Sequence, residues 1–558
     1  MVRPELTGEP FDVVVVGAGI NGVGIAQDAA LRGLRVVLLE QDDLCSGVSA
    51  WSGRLVHGGL RYLEQYDFGL VHESLSERER LFRLAPHLVK PVPLMVPIYK
   101  HNRRPGWMVE LGMIAYDTLS LRKTPPTHRF LTRPRTERRF AGAATEGLSG
   151  SVVFYDGQVE AAERLCVELA VDAKAAGAVI ATKVRVDAPL IENGRVVGVR
   201  ATDRLTGEQT EVRAPLVYNV AGAAIDRLLV GDGVPVQPRL NGGTKGSHLI
   251  VDPFPGAPTD VVYYESRLDG RLVLIIPWAG RYMIGTTDIR FEGDPDDARC
   301  DIGEVDYLLG EVNALIPRAN LTLDDVLYTF SGVRPLPYVP DKAESSVPRS
   351  HVLHDHSASG LPGLVTVVGG KLTTYRQLAE DAVDDAFSRL GRTAPACPTR
   401  KRRYIGAQMV DVPTLTAALK GRTGLPDAQL KRLVALYGSR AFQVWQLVEQ
   451  DPDLRKEVHS SGVLAAELIF AVDTDLARSL TDVFARRVLL AFEPGHALES
   501  VDEAAAVLAE HLGWDDAAVA AQIAEYRQWL DKLAVPDPSG PRSESFGAGV
   551  PAPAGVSR

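Results

Sequence analysis

The chain reads as an α/β protein in which a parallel-sheet unit is interrupted by an inserted antiparallel β domain and followed by an all-α C-terminal domain. Three observations predict this. A strand, a glycine turn, a helix and a second strand open the chain over residues 11–40; a mainly β stretch punctuated by turn residues follows position 243; amphipathic helical spacing fills 406–533. With 558 residues, the chain has room for two or three domains with large cores. Its formal charge of −10 argues against non-specific nucleic-acid binding as the main activity. The four cysteines show neither C-x-x-C nor zinc spacing, so they read as reduced, structural thiols in a reducing compartment, and no metal site is expected. No charged lead followed by an apolar run opens the sequence, and no apolar run approaches the ~20 residues needed to span a bilayer. The expectation is a protein that is neither secreted nor membrane-spanning, although it could lie on a membrane.

The opening unit carries the first functional signal. FDVVVV at 11–16 is apolar on both faces, as a strand buried in a parallel sheet requires, and 20–31 has helical apolar spacing. Between them, Gly17 permits a tight turn, Gly19 lets backbone N–H groups approach a pyrophosphate, and Gly22 lets the helix pack close to the strand. Glu40 ends the second strand, where an acid accepts hydrogen bonds from a ribose hydroxyl. Together these residues predict a dinucleotide bound through its ADP half; the motif alone does not choose between NAD and FAD. The following segment is rich in small and hydroxyl residues, including Ser46, Ser52-Gly53-Arg54 and His57-Gly58-Gly59-Leu60-Arg61-Tyr62. Glycine and serine there let backbone donors reach phosphate or ring atoms.

GAGINGVGIAQDAALRG at 17–33 and HGGLRYLE at 57–64, with later segments in matching order, resemble the FAD-dependent respiratory glycerol-3-phosphate dehydrogenases. Close relatives of that family are the α-glycerophosphate oxidases. The resemblance implies a two-dinucleotide-binding FAD domain of glutathione-reductase/D-amino-acid-oxidase-like build. That domain would be discontinuous (about 11–90, 150–245 and 350–390), with a substrate-binding β domain interleaved (about 91–149 and 246–349). A helical domain at 406–533 and a disordered tail at 534–558 would follow. The implied reaction is oxidation of sn-glycerol 3-phosphate to dihydroxyacetone phosphate, with hydride passing from C2 to flavin N5 and electrons to a membrane quinone; the alternatives are an oxidase that passes the electrons to oxygen and makes hydrogen peroxide, and a non-catalytic flavin-binding protein that docks on a membrane. Family members lie peripherally on the inner face of the cell membrane. Where the family usually shows Ser-Ser-Lys before the HGG motif, this chain has Ser52-Gly53-Arg54, which keeps the cation and removes a hydroxyl.

Further along, 64–88 has helical spacing. Residues 90–116 mix prolines and apolar groups (Leu94, Ile98, Trp107, Met108, Leu111, Met113, Ile114, Tyr116) with Lys100, Arg103 and Arg104. Such a patch suits an anchor on an anionic membrane surface, and it equally suits a core helix with a basic edge. The basic run at 122–139 extends that face or is solvated. A short strand is expected at 152–155, a helix at 156–176, and a strand at 178–184 whose Val184 would meet the adenine side. Asn193-Gly194 and Thr206-Gly207 mark the turns of a three-stranded meander, and a strand at 216–220 leads into a small-residue turn at Gly222.

In the β stretch, His248 is a candidate proton acceptor, and Gly285-Thr286-Thr287-Asp288 resembles a family motif that orients substrate or cofactor. Arg334 stands in SGVRPL, with Arg349 fifteen residues on. Gly369-Gly370-Lys371-Leu372-Thr373-Thr374 joins a strand at 364–368 to a helix running to 387; a helix N-terminus stabilises the anionic edge of a reduced flavin. The resemblance implies that Arg334, Arg349 and Lys371 hold the substrate phosphate, with Arg61 and Tyr62 also lining the site; His248, Arg334 and Lys371 form the catalytic set. The cofactor set is Gly17, Gly19, Gly22, Glu40, Ser46, Ser52, Arg54, His57, Gly58, Gly59, Val184, Gly222, Gly370, Leu372 and Thr373. The helical domain is a candidate interface for a homodimer.

Overall fold

The protein is described by a computed structural model covering residues 3–59, 67–120, 123–231, 233–339, 350–408 and 411–542. Its organising element is a six-stranded sheet in the order Val352–Asp355, Leu364–Val368, Leu216–Asn219, Val13–Val16, Val36–Leu39, Val179–Ala181. All neighbours are parallel except the edge strand Val352–Asp355. The run of valines at 13–16 explains why it sits centrally. Val13 and Val15 point into a core shared with helices Ile20–Leu31, Ala162–Ala175 and Tyr375–Arg389. Val14 and Val16 point the other way, into a core closed by the meander Val184–Glu192, Arg195–Asp203, Gln209–Arg213. Asn193 and Gly194 both have positive φ, 51° and 72°, as the expected two-residue hairpin demands.

The second body is a ten-stranded sheet. From one edge it runs Ile289–Arg290, Thr244–Val251, Arg281–Gly285, Leu272–Trp278, Val261–Glu265, Val89–Tyr99, Leu148–Val159, Leu55–Val56, with Val326–Arg334 also paired to Thr244–Val251 and Arg129–Thr132 to Leu148–Val159. Two sequence expectations change here. Residues 89–99 form a full strand despite Pro91, Pro93 and Pro97. The three prolines share one parity, so their missing donors fall on one edge and the other parity can still ladder. The strand expected at 152–155 runs from Leu148 to Val159 in this sheet, so residues from about 150 do not all join the parallel sheet, and the following helix starts only at Ala162.

Helices Val412–Thr423, Asp427–Tyr437, Ala441–Gln450, Ala465–Asp473, Val501–Leu512 and Asp516–Trp529 form the C-terminal helical domain, with one small hairpin, Glu457–His459 with Val463–Leu464. Within the stretch of helical spacing, residues 475–491 do not form one continuous helix. A short helix at Leu480–Asp482 passes into a π-helical turn, Val483–Arg487. The first residues of the expected tail are held: Thr329 Oγ1 donates to the Ala534 carbonyl at 2.7 Å, and Val535 packs on the core under the ten-stranded sheet. Among the described residues no helix is long and apolar enough to cross a membrane.

Candidate active site

A cavity of about 530 Å³ is lined by both sheets and reached by the C-terminal domain. At one end the glycine turn closes upon itself. Gly17 has φ 104°, and a Cβ there would sit 2.8 Å from the Val220 carbonyl oxygen; a Cβ on Gly22 would collide with the Gly17 carbonyl. Gly17 and Gly19 line the cavity, whereas Gly22 does not: its task is the close packing of helix on turn. Glu40 braces the turn, its Oε2 accepting from the Ala18 N–H at 2.7 Å and its Oε1 from the Asp42 N–H at 2.8 Å and the Ser46 hydroxyl at 3.3 Å. Burial pushes this carboxyl up to about 7. Ser46, Val184 and Gly222 line the same end.

The hydroxyl-rich segment behaves less uniformly than expected. Ser52, His57 and Gly59 line the cavity, and the His57 N–H donates to Thr373 Oγ1 at 3.1 Å, tying this loop to the Gly370-Lys371-Leu372-Thr373 turn, whose four residues also line it. Gly58 faces away: its N–H donates to Tyr116 Oη at 2.9 Å, and a Cβ there would press on Leu75. Arg54 is a clearer correction. Its guanidinium is fully buried, forked onto Glu163 at 2.7 and 2.6 Å, and stacked over Trp278, so only the rest of the residue is left to border the cavity and the cation is internal. An arginine behind a glycine-rich loop reads as a ligand because its acid, over a hundred positions away, is invisible in sequence.

His248, Arg334 and Lys371 also line the cavity. Strand Thr244–Val251 carries His248, stacked on Phe330 (centroids 4.9 Å apart) and pressed against Gly285, where a Cβ would strike the ring. Its Nδ1 is buried with no hydrogen-bond partner among the described residues, while Nε2 lies on the side of Gly53, where a Cβ would be 3.7 Å away. Burial, with the charges of Arg334 and Arg54, holds this imidazole down to about 3, so it is neutral at ordinary pH. Arg334, on the paired strand Val326–Arg334, is aimed by the 286–288 segment: it donates to Thr286 Oγ1 at 3.1 Å, the Thr287 carbonyl at 3.2 Å and the Asp288 carboxylate at 3.0 Å. Lys371 Nζ donates to Ser74 Oγ at 2.6 Å. The helix after that turn starts at Tyr375 and ends at Arg389. Arg61, Tyr62 and Arg349 lie outside the described residues.

Many lining residues fall outside the expected set, and three of them bear on the cofactor end. Ser49 Oγ accepts from the Ile20 N–H at 3.0 Å at the helix start; Asn21, whose Oδ1 is buried without a partner among the described residues, abuts Gly370; Lys532 comes from the last short helix of the C-terminal domain. Asn21 stands inside the G-x-G-x-x-G motif and could have been suspected; nothing near Lys532 in sequence signals a cofactor.

The residues fit a bound FAD: a glycine turn opening a helix, an acid at the end of the second strand, and buried polar atoms of Asn21 and His248 that have no partner among the described residues. Residues 12–376 match a family model described as FAD dependent oxidoreductase, and 397–519 match one described as the C-terminal domain of alpha-glycerophosphate oxidase. The chain is similar to a glycerol-3-phosphate dehydrogenase of Synechocystis, 42% identical over 96% of this chain and 99% of that protein. A Pseudomonas aeruginosa protein of the same name is 36% identical over 86% of this chain and 91% of its own. Among solved structures, the glycerol-3-phosphate dehydrogenase from Bacillus halodurans complexed with FAD superposes with a TM-score of 0.78 at 27% identity, covering 97% of this chain and 98% of the other. With near-full-length similarity joined to a fitting cavity, this chain belongs to the FAD-dependent glycerol-3-phosphate dehydrogenase family, and FAD is its cofactor.

Proposed function

We propose that the protein oxidises sn-glycerol 3-phosphate to dihydroxyacetone phosphate and delivers the electrons to a membrane quinone. The observation that carries this reading is that Arg334, Lys371 and a neutral, buried His248 all line the cavity that also holds the dinucleotide cradle. Bound FAD supplies the hydride acceptor. The Arg334 guanidinium is fixed by Thr244 and the 286–288 segment, which take its terminal N–H groups, so it offers the phosphate a positive charge held in place, and Lys371 adds a second cation. Arg61, Tyr62 and Arg349 join them on the strength of family similarity. His248 accepts the C2 hydroxyl proton at Nε2; a neutral imidazole needs no prior deprotonation, and the flanking cations stabilise the alkoxide character that develops as the proton leaves.

The electron route is supported by an apolar stripe. On helix Gly106–Leu119, Trp107, Met108, Leu111 and Ile114 are exposed, Trp107 at 68%, while Met113 and Tyr116 of the same helix are core. Leu94 and Ile98, part of the expected patch, are buried in strand Val89–Tyr99 and cannot meet lipid. Arg104 is bound to Glu265 at 2.7 Å, so the apolar stripe rather than this cation is the anchor. The reading sets the protein peripherally on the inner face of the cell membrane. The rival acceptor is oxygen, favoured by the name of the model matched over 397–519. Turnover with sn-glycerol 3-phosphate in an oxygen electrode, with and without a ubiquinone analogue, separates the two. Quinone reduction with little hydrogen peroxide supports the proposal; near-stoichiometric peroxide and no gain from quinone refutes the acceptor.

A further inference from the structure

The loop that follows Glu40 is held by the C-terminal domain. Asp43, with no exposed surface, accepts both arms of the Arg487 guanidinium, at 2.7 and 2.8 Å, and a longer bond from Arg486 at 3.3 Å. Arg487 is itself fixed by donating from Nε to the Asp475 carbonyl at 2.7 Å. The neighbouring strand is tied to the same place: Lys183 Nζ donates to Asp482 at 3.1 Å, its N–H to the Asp42 carbonyl at 3.0 Å, and the Val184 N–H to the Glu40 carbonyl at 2.7 Å. Both chain segments that border the ribose and adenine end of the cavity therefore end on one short stretch, 482–487.

That stretch is the π-helical turn, in which the Val488 N–H bonds the Val483 carbonyl five residues back. Wider turns of this kind are rare and concentrate at functional positions. Here the widened turn lets consecutive arginines, Arg486 and Arg487, reach one carboxylate. The loop side is equally constrained: the Ser46 N–H donates to the Asp43 carbonyl at 3.1 Å, the Cys45 N–H to the Ala18 carbonyl at 2.9 Å, and the Ser46 hydroxyl to Glu40. A displacement of Asp43 is thus transmitted to Ser46, Glu40 and the glycine turn. Lys532, from the same domain, lines the cavity directly.

We propose that the C-terminal helical domain forms a structural half of the cofactor site, with Arg487, assisted by Arg486, acting as a positioning residue that holds the Glu40–Ser46 loop through Asp43. Flavin affinity and docking of this domain are then a single coupled equilibrium, and by linkage each strengthens the other. The forked geometry matters beyond the charge, because lysine cannot make two parallel bonds to one carboxylate.

The test uses the full chain, freed of flavin and titrated with FAD by flavin fluorescence, comparing Arg487→Lys with the parent. The expected result is a dissociation constant weakened about 5- to 150-fold, the usual span of coupled sites. A control, Leu419→Ala in the separate helical core that does not include 483–488, should lower Tm while leaving FAD affinity within about twofold. Hydrogen exchange on the parent protein needs no variant: FAD should slow exchange at the amides of 483–488 as well as at 43–46. If Arg487→Lys does not fold, Asp43→Asn is read in its place with the same expectation. An affinity unchanged in whichever variant folds, or no FAD-dependent protection of 483–488, would overturn the proposal and leave Arg487 as a purely structural ion pair.

Discussion

The Asp288 carboxylate accepts a 3.0 Å hydrogen bond from the Arg334 guanidinium, so the cation assigned to substrate phosphate is aimed by an acid of a neighbouring strand end. The same guanidinium rests over Gly246, where a Cβ would intrude on both Arg334 and Thr286.

Arg334→Met is expected to lower kcat/KM for sn-glycerol 3-phosphate by about 10- to 150-fold, the worth of ~1.5–3 kcal/mol for a hydrogen bond to a charged group, mainly through KM. Gly246→Ala should shift KM in the same direction by pushing the guanidinium off its seat. Steady-state kinetics alongside the flavin-to-protein absorbance ratio check both, since FAD content should not change.

His248→Asn is expected to cut kcat by about 10²- to 10⁴-fold with FAD still bound. Because the folded imidazole is held down to about 3, the acid limb of kcat/KM should not show the usual histidine step near 6.5. The stability sign follows. The unfolded chain takes a proton near 6.5 that the folded protein refuses until about 3, so this contribution is complete above ~6.5 and is lost as pH falls, with a slope of up to ~1.4 kcal/mol per pH unit. Urea unfolding at stepped pH should show a shallower acid loss for His248→Asn.

Glu40 titrates in the opposite sense. With its carboxyl pushed up to about 7 in the flavin-free protein, the folded state holds a proton the unfolded state has released, and stability of the apoprotein falls as pH rises from about 4.5 to 7. The ionised form is the better acceptor for a ribose hydroxyl, so FAD affinity should rise through the same window. Fluorescence titrations at stepped pH should show that slope in the parent and a flat profile in Glu40→Gln.

Trp107→Glu together with Leu111→Glu should reduce partitioning onto anionic vesicles by at least about tenfold while leaving turnover with a soluble dye within about twofold. Vesicle sedimentation makes the measurement. Undiminished binding would remove the stripe from the account.

Much of the cofactor end was legible because its chemistry is local. Gly17, Gly19, Gly22 and Glu40 lie within one strand-helix-strand unit, and their spacing encodes their geometry. The substrate end became legible only through family motifs, since His248, Arg334 and Lys371 converge from separate strands and a turn whose pairing no local pattern announces. What sequence hid was partnership at long range. Arg54 reads as a ligand until Glu163 is seen beside it, Gly58 as a cofactor contact until Tyr116 takes its N–H, and Asp43 as an ordinary loop acid until Arg487 arrives from the far domain. Strand Val89–Tyr99 was obscured for a different reason: its prolines argue against a strand locally, and tertiary pairing over its whole length overrides them.

The most direct measurement is an anaerobic titration of the FAD-loaded protein with sn-glycerol 3-phosphate, following the flavin absorbance. Stoichiometric bleaching by this substrate is expected, with none by glycerol and a rate of bleaching that collapses in His248→Asn. No bleaching by sn-glycerol 3-phosphate, or equal bleaching by unphosphorylated glycerol, would contradict the proposed function and mean that Arg334 and Lys371 serve some other anion.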